Sequence, residues 1–154
     1  MSEENFPRPR LARLDEADAL HQLVMNAYKH YVARLGKPPG PMLDDYSRRI
    51  ENGQAWVLED AGVLVGAIVL EDDHDALLLD NVAVSPAAQG KGYGRTLIVF
   101  AEQEARRRGY NELRLYTNVL MTENIALYGR VGFRETARVS EKGFERVYMA
   151  KALT

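Results

Sequence analysis

Residues 89–95 read QGKGYGR, three glycines and two cations directly ahead of the apolar, helix-like run TLIVFAEQEA. That composition suits one kind of chemistry, the holding of phosphate by main-chain amides. Glycine lets the backbone approach anionic oxygens and turn its N–H groups inward. A helix beginning near Tyr93 adds unpaired amides and the positive end of its dipole. Lys91 and Arg95 add charge. Three phosphate motifs compete on spacing. A nucleoside-triphosphate loop needs GxxxxGK[ST], which the chain lacks. A dinucleotide fingerprint needs GxGxxG in an early βαβ unit, whereas Gly90, Gly92 and Gly94 give GxGxG after three antiparallel-looking strands. The third pattern is Q-x-x-G-x-G, met by Gln89, Gly92 and Gly94 between a strand and a helix. Alone, the loop is equally a diphosphate cradle or a tight turn.

A second group lies downstream. Asn124 and Tyr128 are one helical turn apart in TENIALYGRV (122–131), so a helix there sets both on one side. A tyrosine hydroxyl, with an ordinary pKa of about 10, is a protonated donor at neutral pH. The plainer alternative is that Tyr128 packs beside Phe133. Acidic side chains gather earlier. Asp80 shares strand parity with Val82 and Val84, unless a bulge intervenes, and Glu71, Asp72, Asp73 and His74 crowd the approach to that strand. Such groups can relay a proton through water; as bare surface groups they are simply solvated.

These residues need elements to hold them. Arg8–Leu14 alternates as a first strand. Asp15 offers an N-cap, with Asp18 three residues on. Leu20, Leu23, Val24, Ala27, Tyr28 and Tyr31 then fall at helical spacing, predicting a helix over 16–35. A shorter helix follows over 42–51 after GKPPGP (36–41). Strands over 54–59 and 63–70 flank the hairpin signal Asp60-Ala61-Gly62. A charged loop EDDHD (71–75) leads to the strand ALLLDNVAVS (76–85). A helix over 93–108 closes at Gly109, a strand covers 111–118, and a helix capped by Thr122 covers 122–131. Strands near 133–139 and 144–151 finish the chain around Glu141-Lys142-Gly143. The order βααβββαβαββ predicts a mixed α/β sheet.

Composition narrows the classes. The chain has 154 residues, 46% apolar and 27% charged, with a formal net charge of −2, which suits one domain with its own core. Nothing in that charge suggests a nucleic-acid partner. The absence of cysteine excludes disulfides, thiolate metal sites and a cysteine nucleophile. The polar opening MSEENFPRPR lacks the apolar segment of a signal peptide, and the longest apolar runs are too short to cross a membrane. The expectation is a soluble, cytoplasmic protein.

The stretches LDNVAVSPAAQGKGYGRTLI (79–98) and ENIALYGRVGF (123–133) resemble the GNAT superfamily of acetyl-CoA-dependent N-acetyltransferases. The second follows N-x-x-x-Y-x-x-x-G-F through Asn124, Tyr128, Gly132 and Phe133, and the element order matches over nearly the whole chain. The resemblance implies a GNAT-type acyl-CoA N-acyltransferase fold, about seven strands in a twisted mixed sheet with about four helices, as a single domain over residues 1–154. It implies acetyl-CoA as acyl donor and no metal. Val82, Ala83 and Val84 inherit the pairing of strand backbone with the pantetheine arm, and the Val82 amide a place near the thioester oxygen. Gln89, Gly90, Lys91, Gly92, Tyr93, Gly94 and Arg95 inherit the diphosphate. Asn124 holds the coenzyme, and Tyr128 is the general acid near its sulfur.

Asp80 is the candidate base for the acceptor amine. Two departures from the family pattern bear on that role. LRLYTN carries no acid after Glu112, and Met121 stands where the family commonly has asparagine. The implied reaction is direct acetyl transfer, through a ternary complex, to a primary amine of a small molecule or peptide. The alternative is a catalytically weak acyl-CoA-binding sensor or interaction module. On the acceptor side, Tyr28, Tyr31, Met42 and Tyr46 either line a pocket or form core, and EDDHD either favours a cationic acceptor or is a solvated hairpin edge. A homodimer is expected, because dimers are frequent in the superfamily.

Overall fold

Pairs of left-handed residues turn the chain at two hairpins. The computed structural model describes residues 6–154, so the first five residues of the polar opening lie outside the described range. Strand β2 (Ala55–Asp60) returns as β3 (Val63–Asp73) through Ala61 and Gly62, at φ 52° and 81°. Strand β6 (Arg134–Glu141) returns as β7 (Phe144–Ala152) through Lys142 and Gly143, at φ 51° and 77°. Two successive residues at positive φ give the turn twist that matches paired strands. The other elements are β1 (Arg10–Leu11), α1 (Ala17–Leu35), α2 (Tyr46–Glu51), β4 (Ala76–Val84), α3 (Tyr93–Arg107), β5 (Glu112–Asn118) and α4 (Thr122–Arg130). The seven strands form one mixed sheet in the order β1-β2-β3-β4-β5-β7-β6, with β4 and β5 parallel. Element order and sheet type are those the sequence predicts.

Two compact units divide these elements. The first takes the chain through Val69 together with Asn81–Phe100; the second takes Leu70–Asp80 and Ala101–Thr154.

In the first unit, Leu58 opposes Gly66 while Glu59 opposes Leu64, so β3 carries an extra residue at Val65. Such a bulge bends the strand and sharpens its twist. A Cβ on Gly66 would lie 3.0 Å from Leu97 Cδ1 and 3.3 Å from the Ala83 carbonyl. The missing side chain therefore lets Leu97 close onto the strands. The helical stripe of α1 (Leu20, Leu23, Val24, Ala27, Tyr28 and Tyr31) is buried as its spacing predicts. The start of that helix differs. Glu16, rather than Asp15, accepts the Arg13 amide at 2.8 Å while it pairs with Arg10 at 2.9 Å. Its longer side chain folds back over the short 3-10 turn Leu14–Glu16, which also ends β1 after two residues. The expected helix over 42–51 divides into a 3-10 turn, Gly40–Leu43, and α2, which Asp45 caps through the Arg48 amide at 3.2 Å.

In the second unit, β4 meets β5 at Leu77↔Leu113 and Leu78↔Arg114, and β7 runs antiparallel to both β5 and β6. The segment EDDHD is not a loop. Glu71–Asp73 finish β3, and His74, at φ 55°, turns the hairpin. Ion pairs make this possible by offsetting the clustered charge. Asp72 meets Arg108 at 3.0 Å and the Tyr110 hydroxyl at 2.9 Å, and Arg114 meets Asp75 at 3.0 Å. Thr122 is the first residue of α4 rather than its cap, and the Met121 carbonyl accepts from Asn124 and Ile125.

Candidate functional site

In the first unit the glycine loop grows out of the end of β4. Burial alternates along that strand: Leu79, Asn81 and Ala83 are buried, while Asp80, Val82 and Val84 are half-buried. The Ser85 amide donates to the Val65 carbonyl at 2.9 Å, and a single 3-10 turn ends at buried Ala88. Gln89, Gly90, Lys91 and Gly92 then run exposed. Gly90 and Gly92 have φ of 83° and 87°, and no heavy atom comes within 4 Å of a Cβ built on either. Backbone conformation, not crowding, demands glycine at these two positions. Gly94 differs: it is helical, and its Cβ would make an ordinary 3.8 Å contact with Val84.

The Gly92 carbonyl accepts the Thr96 amide at 3.1 Å and its hydroxyl at 3.0 Å. Ahead of that first helical bond, the amides of Tyr93, Gly94 and Arg95 have no acceptor within the helix. Lys91 and Arg95 are exposed. The Tyr93 side chain takes a different direction from its neighbours. It is buried, donates its hydroxyl to the Asp60 carboxylate, and packs at 5.6 Å against the Phe6 ring. The bond to Asp60, reinforced by burial, holds that phenol above its ordinary pKa.

Beneath Val82 lies a buried polar group that the sequence reading did not single out. Asn81 is 4% exposed. Its Oδ1 accepts from the Tyr28 hydroxyl at 2.8 Å, and its Nδ2 donates to the Tyr46 hydroxyl at 3.0 Å. Tyr46 in turn donates to the Pro41 carbonyl at 2.5 Å. The one available signal was an asparagine at a buried parity of LDNVAV. Tyr28, Tyr31, Met42 and Tyr46 are all buried. They are core side chains, some carrying internal hydroxyls, rather than an open pocket lining.

In the second unit α4 carries Asn124, half-buried, and Tyr128, buried. The Tyr128 ring meets Phe133 edge-on at 5.7 Å, and its carbonyl accepts the Phe133 amide at 3.0 Å. Met121 is buried, and its sulfur receives the Thr117 hydroxyl at 3.6 Å and Asn124 Nδ2 at 3.8 Å. At the far end of α4, Lys151 Nζ donates to the Val131 carbonyl at 2.6 Å and pairs with Glu102 at 2.7 Å.

Asp80 shares its surroundings with Tyr116. Burial raises the Tyr116 hydroxyl above its ordinary pKa, the charge on Asp80 raises it further, and Arg146 opposes both. The Arg146 guanidinium lies 4.5 Å from the Tyr116 ring centre, and Tyr148 packs 5.5 Å away. His74 is apart from this group, its side chain 91% exposed at the hairpin turn.

A mixed seven-stranded sheet with four α-helices is the fold this chain shares with solved acetyltransferases. The chain belongs to the acetyltransferase (GNAT) family, which it matches over residues 17–133. It is 30% identical over 130 residues to the probable N-acetyltransferase family 8 member 5 of Mus musculus, covering 79% of this chain and 56% of that one. The chain spans 56% to 63% of the length of three curated relatives that it matches. Solved structures share its fold. The PaiA N-acetyltransferase of Thermoplasma acidophilum, in complex with coenzyme A, superposes with a TM-score of 0.76 at 20% identity over 99% of both chains. The IAA acetyltransferase of Bacillus cereus gives 0.72 at 21% identity, over 96% of this chain and 99% of that one. Among the described residues, no helix is long and apolar enough to cross a membrane, and no cluster of side chains could hold a metal ion.

Proposed function

We propose that this chain is an N-acetyltransferase that moves an acetyl group from acetyl-CoA directly to a primary amine of a small molecule or peptide. The observation that carries the reading is the left-handed pair Gly90 and Gly92, open on the Cβ side, immediately ahead of the α3 amides. Those residues fit a diphosphate: main-chain donors, a helix N-terminus, and the exposed cations Lys91 and Arg95. Gln89 and Gly94 complete the cradle. Tyr93 contributes its amide, because its hydroxyl serves Asp60.

When bound, the coenzyme supplies an acetyl group on a thioester. The strand Val82–Val84 offers main-chain groups to the pantetheine arm in the manner of an added strand. Asn124 orients the coenzyme. Tyr128 holds a proton at its hydroxyl for the departing sulfur, as an ordinary phenol does at neutral pH. Asp80 accepts the proton of the acceptor amine, which must be neutral to attack.

Thiol release from acetyl-CoA across a panel of primary amines tests the reading. At least one amine is expected to support release, and Tyr128→Phe to lower kcat by about 100-fold. Tight coenzyme binding without release from any amine would instead mark a binding module.

A further inference from the structure

The glycine loop has little of its own to hold its shape. Gln89–Gly92 are exposed, and open space surrounds the Cβ positions of Gly90 and Gly92. Two glycines also leave many backbone states to be lost on ordering. Whatever fixes the loop must therefore act at its ends. Upstream, the anchor is Ala88, buried, with its amide on the Ser85 carbonyl at 2.8 Å. Downstream, it is Tyr93, the first residue of α3. Its ring is buried against Phe6, and its hydroxyl donates to the carboxylate of Asp60, the last residue of β2. Rotation of Tyr93 would swing the peptide of Gly92 on one side and the amide of Gly94 on the other.

We propose that Tyr93 and Asp60 are positioning residues that lock the glycine loop in its diphosphate-ready shape, with Tyr93 facing the β2–β3 hairpin rather than the ligand. The proposal rests on the coenzyme reading above. The hydrogen bond from the Tyr93 hydroxyl to Asp60 joins the loop to the end of the β2–β3 hairpin. The preorganisation spares coenzyme A the ordering of two left-handed glycines on binding. It should matter only for ligands that contain the diphosphate.

The test compares coenzyme A with S-acetylpantetheine, which lacks the diphosphate and the nucleotide. Affinities are measured by calorimetry for the first and by NMR titration for the second. Tyr93→Phe keeps the ring against Phe6 and removes only the hydroxyl; it is expected to weaken coenzyme A by roughly tenfold. Asp60→Ala should do the same, and Asp60→Asn, which still offers an acceptor, should restore most of the affinity. Affinity for S-acetylpantetheine should stay within about twofold in all three variants. Without ligand, the amides of Gly92–Arg95 should exchange with solvent faster in Tyr93→Phe.

The idea fails if Tyr93→Phe binds coenzyme A as the parent does, or if both ligands weaken equally, which would indicate general loosening. Failure of the parent itself to bind coenzyme A would overturn the functional reading, and the positioning role with it, before any variant is compared.

Discussion

The Tyr28 hydroxyl lies 2.8 Å from Asn81 Oδ1 and 2.9 Å from the Val82 carbonyl, one proton between two acceptors. A phenol has a single hydrogen, so the bond is shared between a side chain and the main chain of β4. Asn81 is thus the hub through which α1 and α2 hold that strand from within the first unit. Buried polar networks of this kind are costly when half-satisfied.

Asn81→Ala should consequently destabilise the protein by about 2–3 kcal/mol, since two buried tyrosine hydroxyls lose a partner and a cavity opens. Tyr46→Phe should cost less, about 1 kcal/mol, because it removes a single bonding group. Urea unfolding at neutral pH measures both. An unchanged slope with a lower midpoint would place the effect in the native state. Equal costs for the two variants would contradict the hub role of Asn81.

Much of this fold was legible before any coordinates, and the exceptions share a cause. The stripe of α1, the turns at Gly62 and Gly143, and the strand–loop–helix run through Gly92 follow local rules of period and backbone freedom. EDDHD has the look of a loop because its charges, taken in isolation, are those of a solvated segment. Arg108 and Arg114, distant in sequence, make it a strand end. Glu16 displaced Asp15 as a helix-start acceptor because Arg10 drew it inward. The environments of Asn81 and Met121 depend on partners that no local pattern announces. Non-local pairing is thus the recurrent reason that the site's supporting residues were harder to read than its motifs.

The two kinds of glycine in the loop should separate cleanly on substitution. Gly92→Ala forces a side chain into φ 87° and should cost about 1 kcal/mol in stability as well as weaken coenzyme A. Gly94→Ala places a methyl at ordinary contact distance from Val84 in a helical residue. There the better helix propensity should offset any crowding, leaving stability unchanged or raised by up to about 1 kcal/mol. Thermal unfolding of the two variants side by side checks the contrast. A Gly92→Ala protein as stable as its parent would remove the backbone explanation for that glycine.

Lys151 both closes α4 and neutralises Glu102. Lys151→Met keeps much of the apolar stem but leaves the Val131 carbonyl uncapped and Glu102 without this cation. The expected loss is about 2–3 kcal/mol. Glu102→Gln should recover part of it in the double variant, because a neutral amide is less costly to bury. A double-mutant cycle reads the coupling; additivity of the two changes would argue that the pair contributes nothing.

Acid should weaken the N-terminal part of the first unit through Glu16. The Arg10 guanidinium, hydrogen-bonded to this carboxylate, brings its pKa down to about 2, against a reference of 4.5, with the Arg13 amide adding to the effect. A folded-state pKa below the unfolded one means that the unfolded chain binds the extra proton first as pH falls. The stabilisation is therefore full above about pH 5 and is lost progressively as pH falls toward 2. Solvent around Arg10 screens the pair, so the contribution is about 1–2 kcal/mol. Glu16→Gln should be less stable than the parent by that amount at pH 7, and the two should converge near pH 2. Urea unfolding across that range decides the matter: a gap that stays constant with pH would mean that the charge of Glu16 is not what stabilises the helix start.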